Sequence, residues 1–386
     1  MTRLGVLTGG GDVPGLNPCI KTLVYAAADR GYEVIGLRRG WAGLLDYNLD
    51  DDKPQDHCIR PLTKRDVRTI DRTGGTFLHT SRTNPGKVKP KDVPGFLAGQ
   101  GQFESEGPFD FTSHSLAVID RLGLDWLVAI GGDDTLSYAE RLSREGVKVL
   151  AVPKTMDNDV QNTEYCIGFS TALTRAVEAI NRQRTTIGSH ERVGIFRIFG
   201  RDAGFTSLYT AYVTSIRCCI PEVKFDIDRL CELLVQDRNK NPSHYSLVLM
   251  SEGAAWKGYT VQEYGEPDAY GHRKKLNVGE AFSDEVKKRT GLETTVSDLT
   301  YELRSGDPDF LDKMIGTTFA TMAFECVASN AHGRMMAIRN GIYTDTEIPD
   351  PKLGPRSVDV QTMYNIERFR PSYQSKKGLP IFMTRV

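Results

Sequence analysis

The sequence predicts an α/β protein with mainly parallel sheets covered on both faces. Two observations carry this. Short apolar runs alternate along the chain with helix-length segments, and such uninterrupted apolar strands belong in parallel sheets buried from both sides. Glycine-rich turns recur where strands give way to helices. The chain has 386 residues, 39% hydrophobic and 26% charged, which is ordinary for a globular protein with one large or two medium domains.

Taken in order, RLGVLT (3–8) reads as a strand. LNPCIKTLVYAAADR (16–30) reads as a helix closed by Gly31, and YEVIGL (32–37) as the next strand. DWLVAI (125–130) is a strand, followed by a helix across 135–145 and the strand VKVLAV (147–152). A long helix covers about 170–186, and RVGIFRIF (192–199) is a strand. Helices near 205–217 and 226–237 precede a last strand, YSLVLM (245–250). Two stretches break the pattern, 87–112 and 256–278, both read as surface insertions or lids. The final 35 or so residues read as a loosely structured arm. No internal repeat is present.

Formal net charge is −1, which offers no electrostatic reason to expect nucleic acid or a membrane as partner. The seven Cys are scattered without a CxxC pair and read as reduced thiols. No signal-peptide pattern and no apolar run long enough to span a bilayer is present. The expectation is a cytoplasmic protein.

In open α/β sheets, ligands bind beyond the carboxyl ends of the strands, so the turns there carry the chemistry. TGGGDVPGLN (8–17) is not a dinucleotide fingerprint, because Pro14 stands where a glycine is needed. It is not a P-loop either, because Leu16-Asn17 stand where Lys-Ser/Thr is needed. It remains a glycine loop opening a helix, either a plain turn or a cradle of N–H groups for an anion. GGTFLHTSR (74–82) leaves the same choice open, and the basic triplet RKK (273–275) reads as a solvated loop. PKTMDND (153–159) packs a cation, a hydroxyl and two acids into seven residues. It could be an ordinary capped helix start, but a base, a cation and a metal-type carboxylate at one strand end suit phosphoryl transfer.

GGGDVPGLN, GGTFL with Arg82, GGDDT (131–135), PKTMDND, FGRDAGF (199–205) and SEG (251–253) stand in the order and spacing of the phosphofructokinases, which this chain resembles over roughly residues 3–335. The resemblance implies two Rossmann-like domains with the active site in the cleft between them. Residues 1–152 would form the phosphoryl-donor side, 153–335 the sugar-phosphate side (with a crossing back between them left open), and 336–386 a C-terminal arm. It further implies Mg²⁺-dependent transfer to the 1-hydroxyl of fructose 6-phosphate in a homo-oligomer, a homodimer or homotetramer.

Residue by residue, the resemblance makes Asp157 the base that takes the sugar hydroxyl proton and Asp133 the magnesium-associated acid. Thr155 and Asp159 lie beside the transferred group, and Arg201 stabilises its charge. Glu252 binds a sugar hydroxyl, and Arg192 reaches the sugar phosphate of a neighbouring subunit. Gly11, Arg82 and Thr135 line the donor side. ATP-using relatives carry Gly where Asp134 and Lys154 stand, whereas pyrophosphate users carry Asp and Lys. A second carboxylate adds bulk and like charge where a nucleotide α-phosphate would lie, and a lysine is a point charge suited to compact pyrophosphate. Asp134 could equally cap the following helix.

The chain departs from the family's pattern at the sugar phosphate. Thr295 stands where an Arg is usual and Tyr301 at a His or Tyr position, while Arg304 is kept. The missing cation leaves three options: weak fructose 6-phosphate binding, compensation by Arg273 or Lys274, or a longer acceptor such as sedoheptulose 7-phosphate. The expected donor is pyrophosphate, with ATP as the alternative. A lipid- or NAD-kinase-like enzyme is disfavoured by PKTMDND and FGR. A non-enzymatic sugar-phosphate regulator is disfavoured because Asp157 and Asp133 are both present.

Overall fold

The strands that the sequence reads as apolar throughout are buried throughout, as two-sided coverage requires. In the computed structural model, WLVAIG, VLAVP, VGIFRI and SLVLMS have no exposed or half-buried position. The structure describes residues 2–98, 107–259, 263–264, 274–275, 277–374 and 376–384. The first half contains β1 (Arg3–Thr8), α1 (Leu16–Asp29), β2 (Glu33–Leu37), α2 (Ala42–Leu45), β3 (Ile59–Leu62), α3 (Gly95–Ala98) and α4 (Thr112–Arg121). It continues with β4 (Trp126–Gly131), α5 (Asp133–Arg144), β5 (Val149–Pro153) and α6 (Phe169–Ser189). Next come β6 (Val193–Ile198), α7 (Phe205–Thr214), β7 (Arg217–Cys219), α8 (Ile227–Lys240) and β8 (Ser246–Ser251). The pair β9 (Glu263–Tyr264) and β10 (Lys274–Lys275) precedes α9 (Val278–Thr290), β11 (Thr294–Leu299), α10 (Tyr301–Arg304) and α11 (Phe310–Ala328). The chain then forms β12 (Arg334–Arg339) and β13 (Ile342–Glu347).

Two sheets result. The first has the order β13-β12-β5-β4-β1-β2-β3, parallel except at its two ends, where β13 and β3 run antiparallel. The second, β11-β6-β8-β7, is parallel throughout. Register brings the expected site turns level. Thr8 lies opposite Ile130 and Gly131 opposite Pro153, while Ile198 lies opposite both Ser251 and Leu299.

The C-terminal stretch is not loosely structured. Residues 334–347 form the hairpin β12–β13, which adds to the first sheet beside β5. Beyond it the chain crosses to the second sheet, where the buried Tyr364 hydroxyl donates to Cys218 O at 2.6 Å. Periodicity reading missed these strands because they come from a region dense in charge and turn residues. It also missed α11, an apolar helix that packs on α1. Asp312 on that helix, fully buried, accepts from the Tyr165 hydroxyl, Gly168 N and Thr171 N at 2.7–2.8 Å. This carboxylate ties the start of α6 to α11.

The 87–112 insertion closes at its base through reciprocal Val88–Phe109 backbone bonds and is partly helical. Much of 256–278 lies outside the described residues, Arg273 and the Lys274 side chain included. All seven cysteines are free, and no helix among the described residues is long and apolar enough to cross a membrane.

Candidate active site

The first glycine turn is shaped by Thr135. Its side chain fills the angle between the turns after β1 and β4, where a Cβ on Gly9 or Gly131 would collide with it. Thr135 is therefore a buried wedge, with its carbonyl accepting from Trp41 Nε1 at 3.2 Å. The 74–82 turn is laced to the same loop: Gly10 N donates to Ser81 O at 3.0 Å and Thr80 Oγ1 to Gly10 O at 2.6 Å. Arg82 follows directly and is exposed.

Gly132 caps α5, so Asp133 and Asp134 are its first two residues. They sit at the positive end of the helix dipole, which favours carboxylates. Asp134 thus lies within the first turn and is not the capping residue. Loss of water pushes the Asp133 carboxyl up to about 8, helped by the negative charges of Asp159, Asp134 and Asp202. Asp157 is likewise raised to about 8, by loss of water and then by Asp159, while Arg304 and Arg201 pull it down. Asp159 rises to about 6, again through loss of water first, with Asp202 adding to it. Asp157 Oδ1 is buried without a hydrogen-bond partner, while Asp157 N donates to Thr155 Oγ1 at 3.2 Å. Acids crowded in this way, one of them with an unpartnered buried oxygen, suit a cation or a proton donor.

Cations stand against these acids. Lys154 is buried, and its Nζ donates to Gly11 O at 2.6 Å. Burial lowers its pKa to about 7; Arg304 and Arg82 push the same way, and Asp12 opposes them. Arg304 reaches from α10 across to the first glycine turn. Its guanidinium lies 4.7 Å over the Phe199 ring, its Nη1 donates to Asp12 O at 3.3 Å, and a Cβ on Gly11 would overlap it. Arg304 therefore stands with the first glycine turn and Asp157. On the second sheet, Gly253 N donates to Gly200 O at 3.0 Å, and a Cβ on Gly253 would strike Arg201 O. That contact fixes SEG against FGR. Arg201 Nε is buried and unpartnered.

The structure thus brings together Gly11, Asp133, Lys154, Asp157, Asp159, Arg201 and Arg304, with Asp134, Arg82, Thr155 and Glu252 around them. One expected residue does not join them within one chain: Arg192 precedes β6, at the opposite end of that strand. Tyr301 begins α10, close enough to Arg304 to act on its charge, and is 78% exposed. Thr295 lies in the amino-terminal half of β11.

Sequence reasoning missed Arg197. It is buried on β6 and pairs with Asp298 at 2.8 Å and Glu252 at 3.4 Å. It lies opposite Asp298, three residues along β6 from the partner of Thr295, and its pairs hold it against Glu252 and Asp298. The only signal was an Arg inside an otherwise apolar strand. Asp202, which adds to the charge felt by Asp133 and Asp159, sat unremarked inside FGRDAGF. Arg356, from the C-terminal segment, was also missed.

Residues 3–327 match the family profile described as Phosphofructokinase, and the chain belongs to that family. It is a phosphotransferase. It is 35% identical over 370 residues to the pyrophosphate–fructose 6-phosphate 1-phosphotransferase of Dictyoglomus thermophilum, covering 95% of this chain and 98% of that protein. It is 36% identical over 352 residues to the ATP-dependent 6-phosphofructokinase 3 of Streptomyces coelicolor, covering 90% and 92%. In fold it superposes on the pyrophosphate-dependent phosphofructokinase from Nitrosospira multiformis with a TM-score of 0.74 at 15% identity, covering 99% of this chain and 95% of that one.

Proposed function

We propose that the enzyme moves a phosphoryl group reversibly between pyrophosphate and the 1-hydroxyl of fructose 6-phosphate, a glycolytic step carried out in the cytoplasm. The donor assignment rests on one observation: a lysine in place of a small residue, buried at the mouth of the glycine loop, with its Nζ 2.6 Å from Gly11 O. Relatives named for either donor are about equally similar overall, so identity does not choose between donors. Lys154 and Asp134 do. Lys154 and Arg82 would hold pyrophosphate, and Asp134 would exclude the α-phosphate of a nucleotide.

Asp157 takes the hydroxyl proton onto its unpartnered Oδ1. Arg201, with Arg304 beside it, balances charge that grows on the moving group, and Thr155 and Asp159 flank it. Glu252, steadied by Arg197, receives a sugar hydroxyl. Asp133, Asp159 and Asp202 are hard oxygen donors whose mutual repulsion a divalent cation relieves. Among the described residues, no three such side chains already converge at ligating distance. This fits Mg²⁺ held by one or two carboxylates and completed by phosphate oxygens and water. When bound, Mg²⁺ would neutralise phosphate charge. Arg192 serves only a neighbouring copy's sugar phosphate, so the active form is a homo-oligomer, a homodimer or homotetramer.

The test incubates the protein with fructose 6-phosphate, Mg²⁺ and either pyrophosphate or ATP, and measures bisphosphate formed. Bisphosphate from ATP at the pyrophosphate rate overturns the donor assignment. The neutral pair Thr295 and Tyr301 favours a second acceptor, sedoheptulose 7-phosphate, and a far higher kcat/KM for it would replace fructose 6-phosphate.

A further inference from the structure

The C-terminal segment carries a buried arginine that none of the proposed catalytic roles involves. Arg356 follows Pro355 after the β12–β13 hairpin and is 7% exposed. Its backbone N–H donates to Asp159 O at 2.6 Å, and its Nη2 donates to Asn158 O at 2.6 Å. The guanidinium lies 4.3 Å over the ring of Phe205, the last residue of FGRDAGF. Nε and Nη1 are buried without a hydrogen-bond partner, and no carboxylate pairs with it among the described residues. A cation buried on such terms costs several kcal/mol, so the site retains it against a stability cost.

What it grips explains why. Asn158 lies between Asp157 and Asp159 in the left-handed region, at φ 54°. Its Nδ2 donates to Glu164 O at 2.9 Å and its Oδ1 accepts from Cys166 N at 2.8 Å. Its backbone sets the directions in which the two flanking carboxylates leave the loop. A non-glycine residue persists in this conformation only where its surroundings over-determine it. The same segment has a second anchor two residues on: Glu222 Oε1 accepts from Val358 N at 2.8 Å and from Gly204 N at 2.9 Å. One strap therefore binds PKTMDND and FGRDAGF together from behind.

We infer that Arg356 is a positioning residue, which locks Asn158 in its left-handed conformation and so aims Asp157 and Asp159 at the transferred group. This rests on the phosphoryl-transfer reading of Asp157, but the strap itself does not.

The test compares Arg356→Met and Arg356→Lys with the unmodified full-length enzyme, assayed with fructose 6-phosphate and Mg²⁺ and with each phosphoryl donor. Misplacement of a reacting group by about 1 Å costs about 100-fold. Arg356→Met is expected to lose kcat on that order while KM for sugar and donor stays within about threefold, the pattern of a lost transition-state contact. Arg356→Lys, which can still reach Asn158 O, recovers part of kcat. Hydrogen exchange gives a readout independent of activity: amides in peptides covering 153–165 exchange faster in Arg356→Met, and those of β1 and β4 do not. Unchanged kcat and unchanged exchange in that peptide overturn the inference. So does a rise in sugar KM with kcat intact, which makes Arg356 a ligand. If the unmodified enzyme transfers from neither donor, the functional reading fails, and the exchange experiment alone then decides the strap.

Discussion

Replacing Lys154 by Met should make the protein more stable and a poorer user of pyrophosphate. The lysine is buried, and its pKa falls from 10.5 to about 7, which corresponds to about 5 kcal/mol of destabilisation at and below neutral pH. Met removes that cost. It also removes the bond to Gly11 O, a charge-assisted contact of about 1.5–3 kcal/mol. The net gain is about 2–3.5 kcal/mol. The sign depends on pH. Between pH 7 and 10.5 the unfolded chain still holds the lysine proton and the fold does not, so unmodified-protein stability from this group rises with pH. The advantage of the Met variant should therefore be largest near pH 6 and shrink towards pH 10. Loss of one charged contact to pyrophosphate should lower kcat/KM for it roughly 10- to 150-fold. Denaturant midpoints at both pH values and steady-state kinetics measure the two halves. A Met variant that unfolds earlier than its parent near pH 6 and still turns over pyrophosphate normally would refute the reasoning.

Four further outcomes are expected. Asp134→Gly opens the space beside the glycine loop, so ATP turnover, near zero beforehand, becomes measurable in the same coupled assay; continued inactivity with ATP removes Asp134 from donor choice. Asp157→Ser lowers kcat about 10²- to 10⁴-fold while sugar-phosphate binding by calorimetry persists, and near-normal kcat would exclude it as the base. Asp133 and Asp157 have folded pKa values near 8, so their contribution favours the fold at low pH and is lost as pH rises towards 8. Mg²⁺ should accordingly raise Tm more at pH 8 than at pH 5, and an equal shift at both removes the metal from this acid cluster. Arg304→Ala raises KM for pyrophosphate as well as for the sugar, because the guanidinium abuts Gly11 and Asp12; a change in sugar KM alone restores it to a separate pocket.

Strand-end turns were the legible part of this molecule. Apolar strands declare parallel burial, and the glycines after them declare close approach, so β1, β4, β5, β6 and β8 and the motifs behind them stand out from sequence alone. Local periodicity does not reveal long-range pairing. Nothing local in RMMAIR says that it lies beside β5, and nothing in PRSVD says that its arginine holds a turn some 200 residues earlier. Arg304 shows a subtler limit. Its place in the motif order was plain, but its reach over Phe199 to the opposite turn depends on how the two sheets face each other. The metal-type acids were legible as residue types; their crowding, which sets their proton affinity, was not.

Because β12 completes the first sheet beside β5, that sheet is assembled from both ends of the chain. On a ribosome, β5 emerges fully apolar and waits for about 180 residues before its second neighbour, β12, exists. Until then an unfinished parallel edge is open to other chains, which is an aggregation hazard. The second sheet is synthesised during that interval, so synthesis imposes an order of assembly in which the first sheet is begun first and finished last. Long-range parallel closure of this kind is slow, and the edge at β5 stays open until residues 334–347 have left the exit tunnel.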